Sequence, residues 1–149
     1  MIEILTKWAL PVLLAALLGF IVWRKQKEEE RFQMAKDRLH AAFDPTLGRL
    51  AFARDYKSTH EAPDIDSQLD SALPMQTEAI ESYRRFVPKD GQPEYDKAWD
   101  DYRGWAKKSQ GVFAARYVIQ EDPKFIIKED PHDFIAKKIH TILHFAKEK

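Results

Sequence analysis

The chain opens on a long apolar run and then changes to the mixed patterns of amphipathic helices. From Ile4 to Trp23 it is apolar over twenty residues, interrupted only by Thr6 and Lys7. At about 1.5 Å of rise per residue, a helix of this length matches the roughly 30 Å hydrocarbon core of a bilayer. The pattern therefore predicts a transmembrane anchor over residues 1–23.

The residues that flank the run indicate an orientation in the membrane. Trp8 and Trp23 bracket the apolar residues, and tryptophan favours the bilayer interface. Three basic side chains follow directly: Arg24, Lys25 and Lys27. Before Trp8 the only basic side chain is that of Lys7, and an excess of Lys and Arg marks the cytoplasmic side. We therefore expect a single-pass protein, in contact with the lipid bilayer, whose C-terminal part is cytoplasmic.

Two other readings of the run are weaker, and a packing motif lies within it. A cleaved signal peptide needs a small-x-small cleavage site, and none follows Val22. A buried soluble helix this apolar is not expected in so small a chain. Ala15 and Gly19 have the small-xxx-small spacing that lets two membrane helices pack closely, which suggests a homo-oligomer. Pairs of small residues with this spacing also occur by chance in apolar segments, so the spacing alone does not establish an oligomer.

A helical juxtamembrane stalk is expected over residues 24–43, which contain no Gly or Pro and are rich in good helix formers. One apolar stripe at three-four-three spacing predicts packing on the domain that follows: Phe32, Ala35, Leu39 and Ala42. Asp44-Pro45 is expected to end this helix or to start another, because proline disfavours helix in the preceding residue. A short helix is then expected over 45–55.

The remaining chain, residues 44–149, is expected to form a small helical bundle. Residues 56–72 are predicted to be a polar loop with at most a weak helical turn at 65–71. Pro74 is predicted to open a helix over 74–87, and Asp90-Gly91 signals the turn that ends it. The next helix is predicted over 93–109, with Gly111 suited to its C-terminal cap.

The last part of the chain combines an ambiguous stretch with a clear helix. Residues 112–127 contain two short apolar runs whose periodicity fits either a strand or a helix, so a short extended segment is an alternative there. Asp130 is predicted to cap a final helix, with Pro131 in its first position, that runs to about Lys147. Apolar positions that share one face of each helix are expected to form the core: Ile80, Tyr83, Phe86, Tyr95, Trp99, Tyr102, Ile139 and Leu143. The predicted fold class is thus all-α.

Composition excludes several kinds of chemistry. The chain has 24 basic and 24 acidic residues, so no overall field attracts nucleic acid. It has no cysteine, which excludes disulfides, thiolate metal sites and cysteine nucleophiles. Neither GxGxxG nor GxxxxGK[ST] occurs, and no GxSxG surrounds a serine. We expect no cofactor.

Two candidate metal sites have a simpler explanation. His140 and His144 have the four-residue spacing of a metal pair, but the glutamate of HExxH is missing. An acidic stretch offers oxygen ligands without the ordered pattern of a calcium loop: His60, Glu61, Asp64, Asp66 and Asp70. A solvated loop explains these residues better, and no metal is expected.

Aromatic and basic residues alternate between Tyr83 and Tyr117, a combination that also occurs in proteins that bind single-stranded nucleic acid. The rings fall at helical spacing, however, and acidic residues offset the bases. We therefore interpret the rings as core residues and expect no nucleic acid as a partner.

Two segments resemble an uncharacterised family of small bacterial membrane-anchored helical proteins. They are Thr77–Lys89 (TEAIESYRRFVPK) and Tyr95–Tyr102 (YDKAWDDY), and Tyr83 and Tyr95 stand where the family usually has Phe. The resemblance carries no known activity. It implies a bacterial source, hence the inner membrane, and a two-helix hairpin with Trp99 buried against Phe86 or Tyr83.

These observations lead to one functional hypothesis and two alternatives. We expect a non-enzymatic protein that displays a cytoplasmic helical domain at the membrane, where the domain binds a protein partner not identified by the sequence. One alternative is a membrane effector of toxin or defence type whose anchor oligomerises. The other is an enzyme whose site carries no motif.

Overall fold

Four helices make up the described part of the protein. The structure, a computed structural model, describes the backbone of residues 2–55, 65–108 and 130–146. The helices are α1 (Ile2–Asp55), α2 (Ile65–Arg84), α3 (Gln92–Lys108) and α4 (Pro131–His144). No strand occurs among these residues, which confirms the all-α prediction. The ambiguous segments between 112 and 127 lie outside the described residues.

The chain divides into two compact units. The first, Met1–Met34, is described as the N-terminal part of α1. The second, Ala35–Lys149, contains the remainder of α1 together with α2, α3 and α4. The predicted division into anchor, stalk and domain stays a prediction.

The predicted break at Asp44-Pro45 is wrong, because α1 continues through it to Asp55. Proline has no N–H and its ring crowds the carbonyl one turn earlier, so an interior proline is costly in an isolated helix. Here Pro45 is exposed, while neighbouring turns of α1 are held in the core by Phe43 and Leu50. Tertiary packing thus keeps the helix continuous where local preference favours an end.

The predicted start of a helix at Pro74 is also wrong. Pro74 lies inside α2, which begins at Ile65, within the segment predicted to be a loop. Both turns before the proline are anchored by buried leucines, Leu69 and Leu73. Just after it, Thr77 Oγ1 donates to the Leu73 carbonyl at 2.7 Å, so a side chain supports this stretch of backbone.

The predicted turn after α2 and the predicted cap of α4 are both present, although α2 ends at Arg84 rather than at residue 87 and α4 ends at His144 rather than near Lys147. Residues 85–91 turn the chain between α2 and α3, and the Gly91 and Gln92 amides donate to the Pro88 carbonyl at 2.9 and 3.1 Å. The Asp130 side chain caps α4 by accepting from the His132 amide at 2.8 Å, with Pro131 in the first turn.

An ion pair joins the two helices of the hairpin. Arg84 donates through Nε and Nη2 to the two carboxylate oxygens of Asp96, at 2.8 and 2.7 Å. These hydrogen bonds hold the pKa of Asp96 below its usual range and raise that of Arg84. Both side chains are largely exposed, so the pair contributes little to stability and mainly fixes the register of α2 against α3.

The core of the second unit lies where all four helices meet. Three residues of the stripe predicted on α1 are buried there, Ala35, Leu39 and Ala42, as are Ile135, Ile139, Ile142 and Leu143 of α4 and Ala146 after it. Phe32, the first residue of that stripe, is also buried. Of the eight predicted core residues Phe86 is half-buried, and the others are buried: Ile80, Tyr83, Tyr95, Trp99, Tyr102, Ile139 and Leu143.

Candidate functional site

Most of the exposed large apolar side chains that the structure describes lie on the first part of α1. Nine of them fall between Val12 and Trp23, with 49% to 66% of each side chain's surface exposed. Twelve consecutive residues cover every side of a helix, so this apolar surface surrounds α1. Helices with apolar side chains on every side are typically buried, either in the core of a large protein or in a bilayer.

No helix within the described residues is both long and apolar enough to cross a bilayer. The transmembrane anchor over residues 1–23 therefore stays a prediction.

The C-terminal flank of the apolar surface is charged and paired within the helix. The Trp23 ring packs against Phe20, with centroids 5.9 Å apart. Arg24 Nε lies 3.5 Å from a Glu28 carboxylate oxygen, and Lys27 Nζ donates to Glu30 at 2.8 Å. Lys25 is exposed, and the Trp8 side chain lies outside the described residues.

The small pair predicted to pack in the membrane is accessible. Ala15 is exposed, and a Cβ added to Gly19 would meet no atom within 4 Å. This side of α1 leaves space for a close approach by another helix.

Aromatic rings fill the core of the second unit, but their pairing differs from the prediction. Trp99 packs against Phe43 and Tyr102, with ring centroids 6.4 and 5.8 Å apart, rather than against Phe86 or Tyr83. Tyr95, one turn before Trp99 on α3, takes the place opposite Tyr83 at 6.2 Å. Trp99, one helical turn after Tyr95, therefore contacts α1 instead of α2.

A buried polar network crosses this aromatic core. Gln76 is fully buried, and its amide nitrogen donates to Thr46 Oγ1 at 3.1 Å and to the Ala42 carbonyl at 3.3 Å. Its amide oxygen accepts from the Tyr102 hydroxyl at 2.9 Å. Burial raises the pKa of Tyr102 to about 12. One side chain from α2 therefore links α1 to α3 within the core, although no pattern in the sequence indicated this role for Gln76.

An open groove of about 460 Å³ runs between α1 and α4. Aliphatic residues and charged side chains line it together: Leu47, Leu50, Ala51, Arg54, His132, Asp133, Ala136, Lys137 and His140. Arg54 Nη1 donates to Asp133 at 3.2 Å across it. His132 is buried, with Nδ1 2.7 Å from the Asp130 carboxylate. This mixture suits contact with a polypeptide better than the enclosure of a small molecule.

Among the described residues, the candidate metal ligands do not lie together. His140 and His144 are both exposed on α4. No group of three or more His, Asp or Glu side chains within the described residues is arranged to hold a metal ion. Asp70 is exposed on α2. The other members of the acidic stretch lie outside the described side chains: His60, Glu61, Asp64 and Asp66.

No protein-family model, curated protein or solved structure matches this chain.

Proposed function

We propose that this protein is a single-pass protein of the bacterial inner membrane that displays a cytoplasmic, non-enzymatic helical domain to a protein partner. The observation that carries the proposal is the apolar surface that surrounds α1 from Val12 to Trp23, in a chain whose core belongs to a different compact unit, Ala35–Lys149. Exposure of so many large apolar side chains to water is unfavourable, at about 25 cal/mol for each Å². A bilayer removes that surface from water.

The described apolar residues alone are too few for the proposed anchor. Twelve residues rise about 18 Å, so a span of roughly 30 Å also needs the apolar sequence from Ile4 to Pro11. The orientation is supported by the excess of basic residues directly after Trp23, where Arg24, Lys25 and Lys27 follow. Binding at a membrane raises the effective concentration of a partner held there, which is a function without chemistry.

Membrane attachment is tested by fractionating bacterial cells that express the full chain. We expect the protein to stay with the membranes after an alkaline carbonate wash and to become extractable by detergent. A variant without residues 1–23 serves as the control and is expected in the soluble fraction. Recovery of the full chain in the soluble fraction would overturn the proposal.

Orientation is tested by a single cysteine, since the chain has none of its own. Lys89→Cys lies in the exposed turn between α2 and α3. A membrane-impermeant maleimide is expected to label it only after the inner membrane is opened. Labelling with that membrane intact would show that the domain faces the periplasm.

The partner is sought by crosslinking the tagged chain in native membranes, followed by mass spectrometry. The matched control carries an unrelated transmembrane helix in place of residues 1–23. A specific protein captured by both forms would place the contact on residues 24–149. Capture of the chain's own copies alone, and its loss in the control, would favour an oligomerising membrane effector instead.

A further inference from the structure

We infer that the exposed side of α1 from Asp37 to Phe52 binds the same side of a second copy of this chain, forming a parallel dimer. We call this side the outward face. The inference rests on the proposed function, because a shared membrane concentrates two copies and gives them the same topology. It goes beyond that function by naming a partner and the surface used.

The outward face is an apolar helix surface on the side of α1 opposite the core. Its central residues recur at four-three-four spacing, which is that of the a and d positions of a coiled coil: Ala41, Pro45, Gly48 and Phe52. All four are exposed, and Phe52 is 58% exposed. A Cβ added to Gly48 would meet no atom within 4 Å. The surface therefore has room for another helix.

A neighbouring helix widens this surface. Met75 of α2 is 52% exposed and lines a groove of about 220 Å³ together with Arg38 and Ala41 of α1. Met75 thus adds an exposed apolar side chain beside Ala41, near the start of the outward face.

The two edges of the outward face carry opposite charges. At 100° per residue, Arg38 and Arg49 lie along one edge, and Asp37 and Asp44 lie along the other. All four are exposed, and within the described residues neither arginine forms an ion pair. Asp44 Oδ1 lies 3.5 Å from His40 Nδ1.

This charge pattern selects a second copy as the occupant. A partner helix of one charge sign would be attracted to one edge and repelled by the other. A second copy related by a twofold axis parallel to α1 places its Asp edge on the Arg edge at both sides. Asp44 then lies five residues before Arg49 of the second copy, which is the offset of g and e pairs in parallel coiled coils.

The same pattern disfavours an antiparallel pair. A twofold axis perpendicular to α1 would bring the Arg edge onto the Arg edge and the Asp edge onto the Asp edge. Like charges facing each other across a helix pair are destabilising. The parallel arrangement is also the one that two copies anchored in one membrane can adopt.

Cysteine crosslinking of the full chain in isolated membranes tests the arrangement. Ala41→Cys and Gly48→Cys are made separately in the cysteine-free chain and oxidised with copper-phenanthroline. A disulfide needs Cβ atoms about 3.5–4.5 Å apart, so a central residue must face its own copy. In a parallel dimer both positions do, and both variants are expected to give covalent dimers.

Ala41 and Gly48 lie about 10 Å apart along α1, so the two cysteine variants together distinguish a parallel from an antiparallel pair. An antiparallel pair allows at most one of them to crosslink, so a single positive variant would overturn the parallel dimer. Absence of dimer from both would overturn the inference altogether. Glu81→Cys, exposed on α2, is the control and is expected to stay monomeric.

Charge reversal tests the role of the edges in the Gly48→Cys background. R38E/R49E makes both edges acidic, and D37R/D44R makes both edges basic. Each variant alone is expected to lose most of its covalent dimer, whereas coexpression with different tags is expected to restore a mixed dimer. Damage to the fold would not be rescued in this way, so failure of the mixed pair would contradict the inference.

Failure of this inference can be told apart from failure of the proposed function. If the chain stays with membranes and captures another protein while both cysteine variants remain monomeric, only the dimer is wrong. If the chain is recovered in the soluble fraction, the proposed function is wrong, and the same oxidation carried out on that fraction still decides whether the outward face forms a dimer.

Discussion

Two glutamines on α2, Gln68 and Gln76, differ in whether their buried polar atoms have hydrogen-bond partners. Every polar atom of the Gln76 side chain has a hydrogen-bond partner, whereas Oε1 of Gln68 is buried without one within the described residues. A buried polar group that lacks a partner loses its interaction with water and gains nothing in return. Removing the two side chains should therefore have opposite consequences.

We predict that Gln76→Met lowers the free energy of unfolding by about 1–3 kcal/mol, because the Tyr102 hydroxyl and Thr46 Oγ1 lose their partner. Gln68→Met is the matched control, with a similar shape on the same helix, and is expected to be neutral or stabilising. Urea unfolding of both variants in detergent micelles measures the difference. Equal losses would show that the network is not stabilising.

The buried tyrosines predict how stability depends on alkaline pH. Burial raises the pKa of Tyr83, Tyr95 and Tyr102, the last to about 12, from the usual 10.0. The fold thus favours the neutral phenols. Their contribution to stability is complete below pH 10 and is lost as the pH rises through the raised pKa values, which for Tyr102 means about 12.

We therefore expect ultraviolet titration of the folded protein to show tyrosines that ionise only as circular dichroism reports unfolding, above pH 10. In denaturant, all tyrosines should ionise together near that pH. Complete ionisation near pH 10 with the helices intact would contradict the burial of these hydroxyls.

Residue spacing predicted which rings are buried but not which rings meet. The three-four recurrence of Tyr95, Trp99 and Tyr102 places them on one face of α3, as found. Whether Trp99 faces α1 or α2 depends on how the helices are arranged, and spacing within one helix contains no information about that. Phe43, by contrast, follows Leu39 by four residues, so the spacing on α1 was enough to predict its burial although it was not among the predicted core residues.

At the scale of the helices, local signals were reliable at the ends and misleading in the middle. The Asp130 cap and the turn at 88–91 use hydrogen bonds between residues close in sequence, so the sequence contains the whole explanation. The prolines at 45 and 74 also act locally, but the packing of Leu50, Leu69 and Leu73 outweighs them. Propensity is a weak prior wherever a helix has a buried face.

We predict that Pro74→Ala stabilises the second unit by about 1–3 kcal/mol. Alanine restores a backbone donor in the interior of α2 and is favoured there over proline by about 3 kcal/mol. Part of this gain, up to about 1 kcal/mol, is offset because the unfolded chain with alanine has more conformational freedom than the chain with proline. Pro93→Ala is the control, since Pro93 lies in the first turn of α3, where proline costs little. Thermal unfolding of the two variants checks this. A gain at Pro93 equal to that at Pro74 would contradict it.

At the scale of the whole molecule, the apolar segment and the core are separate. Every described side chain from Val12 to Arg31 is exposed, whereas all but one of the buried apolar residues lie in the unit Ala35–Lys149. The remaining one, Phe32, follows directly. Removal of residues 1–23 therefore takes away no buried side chain among those that the structure describes there, Val12 to Trp23.

We predict that residues 24–149 fold alone, without detergent, and unfold in a single cooperative thermal transition. The midpoint should be close to that of the second unit in the full chain, because the same core is buried in both. Circular dichroism and the fluorescence of Trp99 and Trp105 should report coincident transitions. A noncooperative transition would mean that the N-terminal segment contributes to the core, and the chain would then act as one body rather than as an anchor that carries a domain.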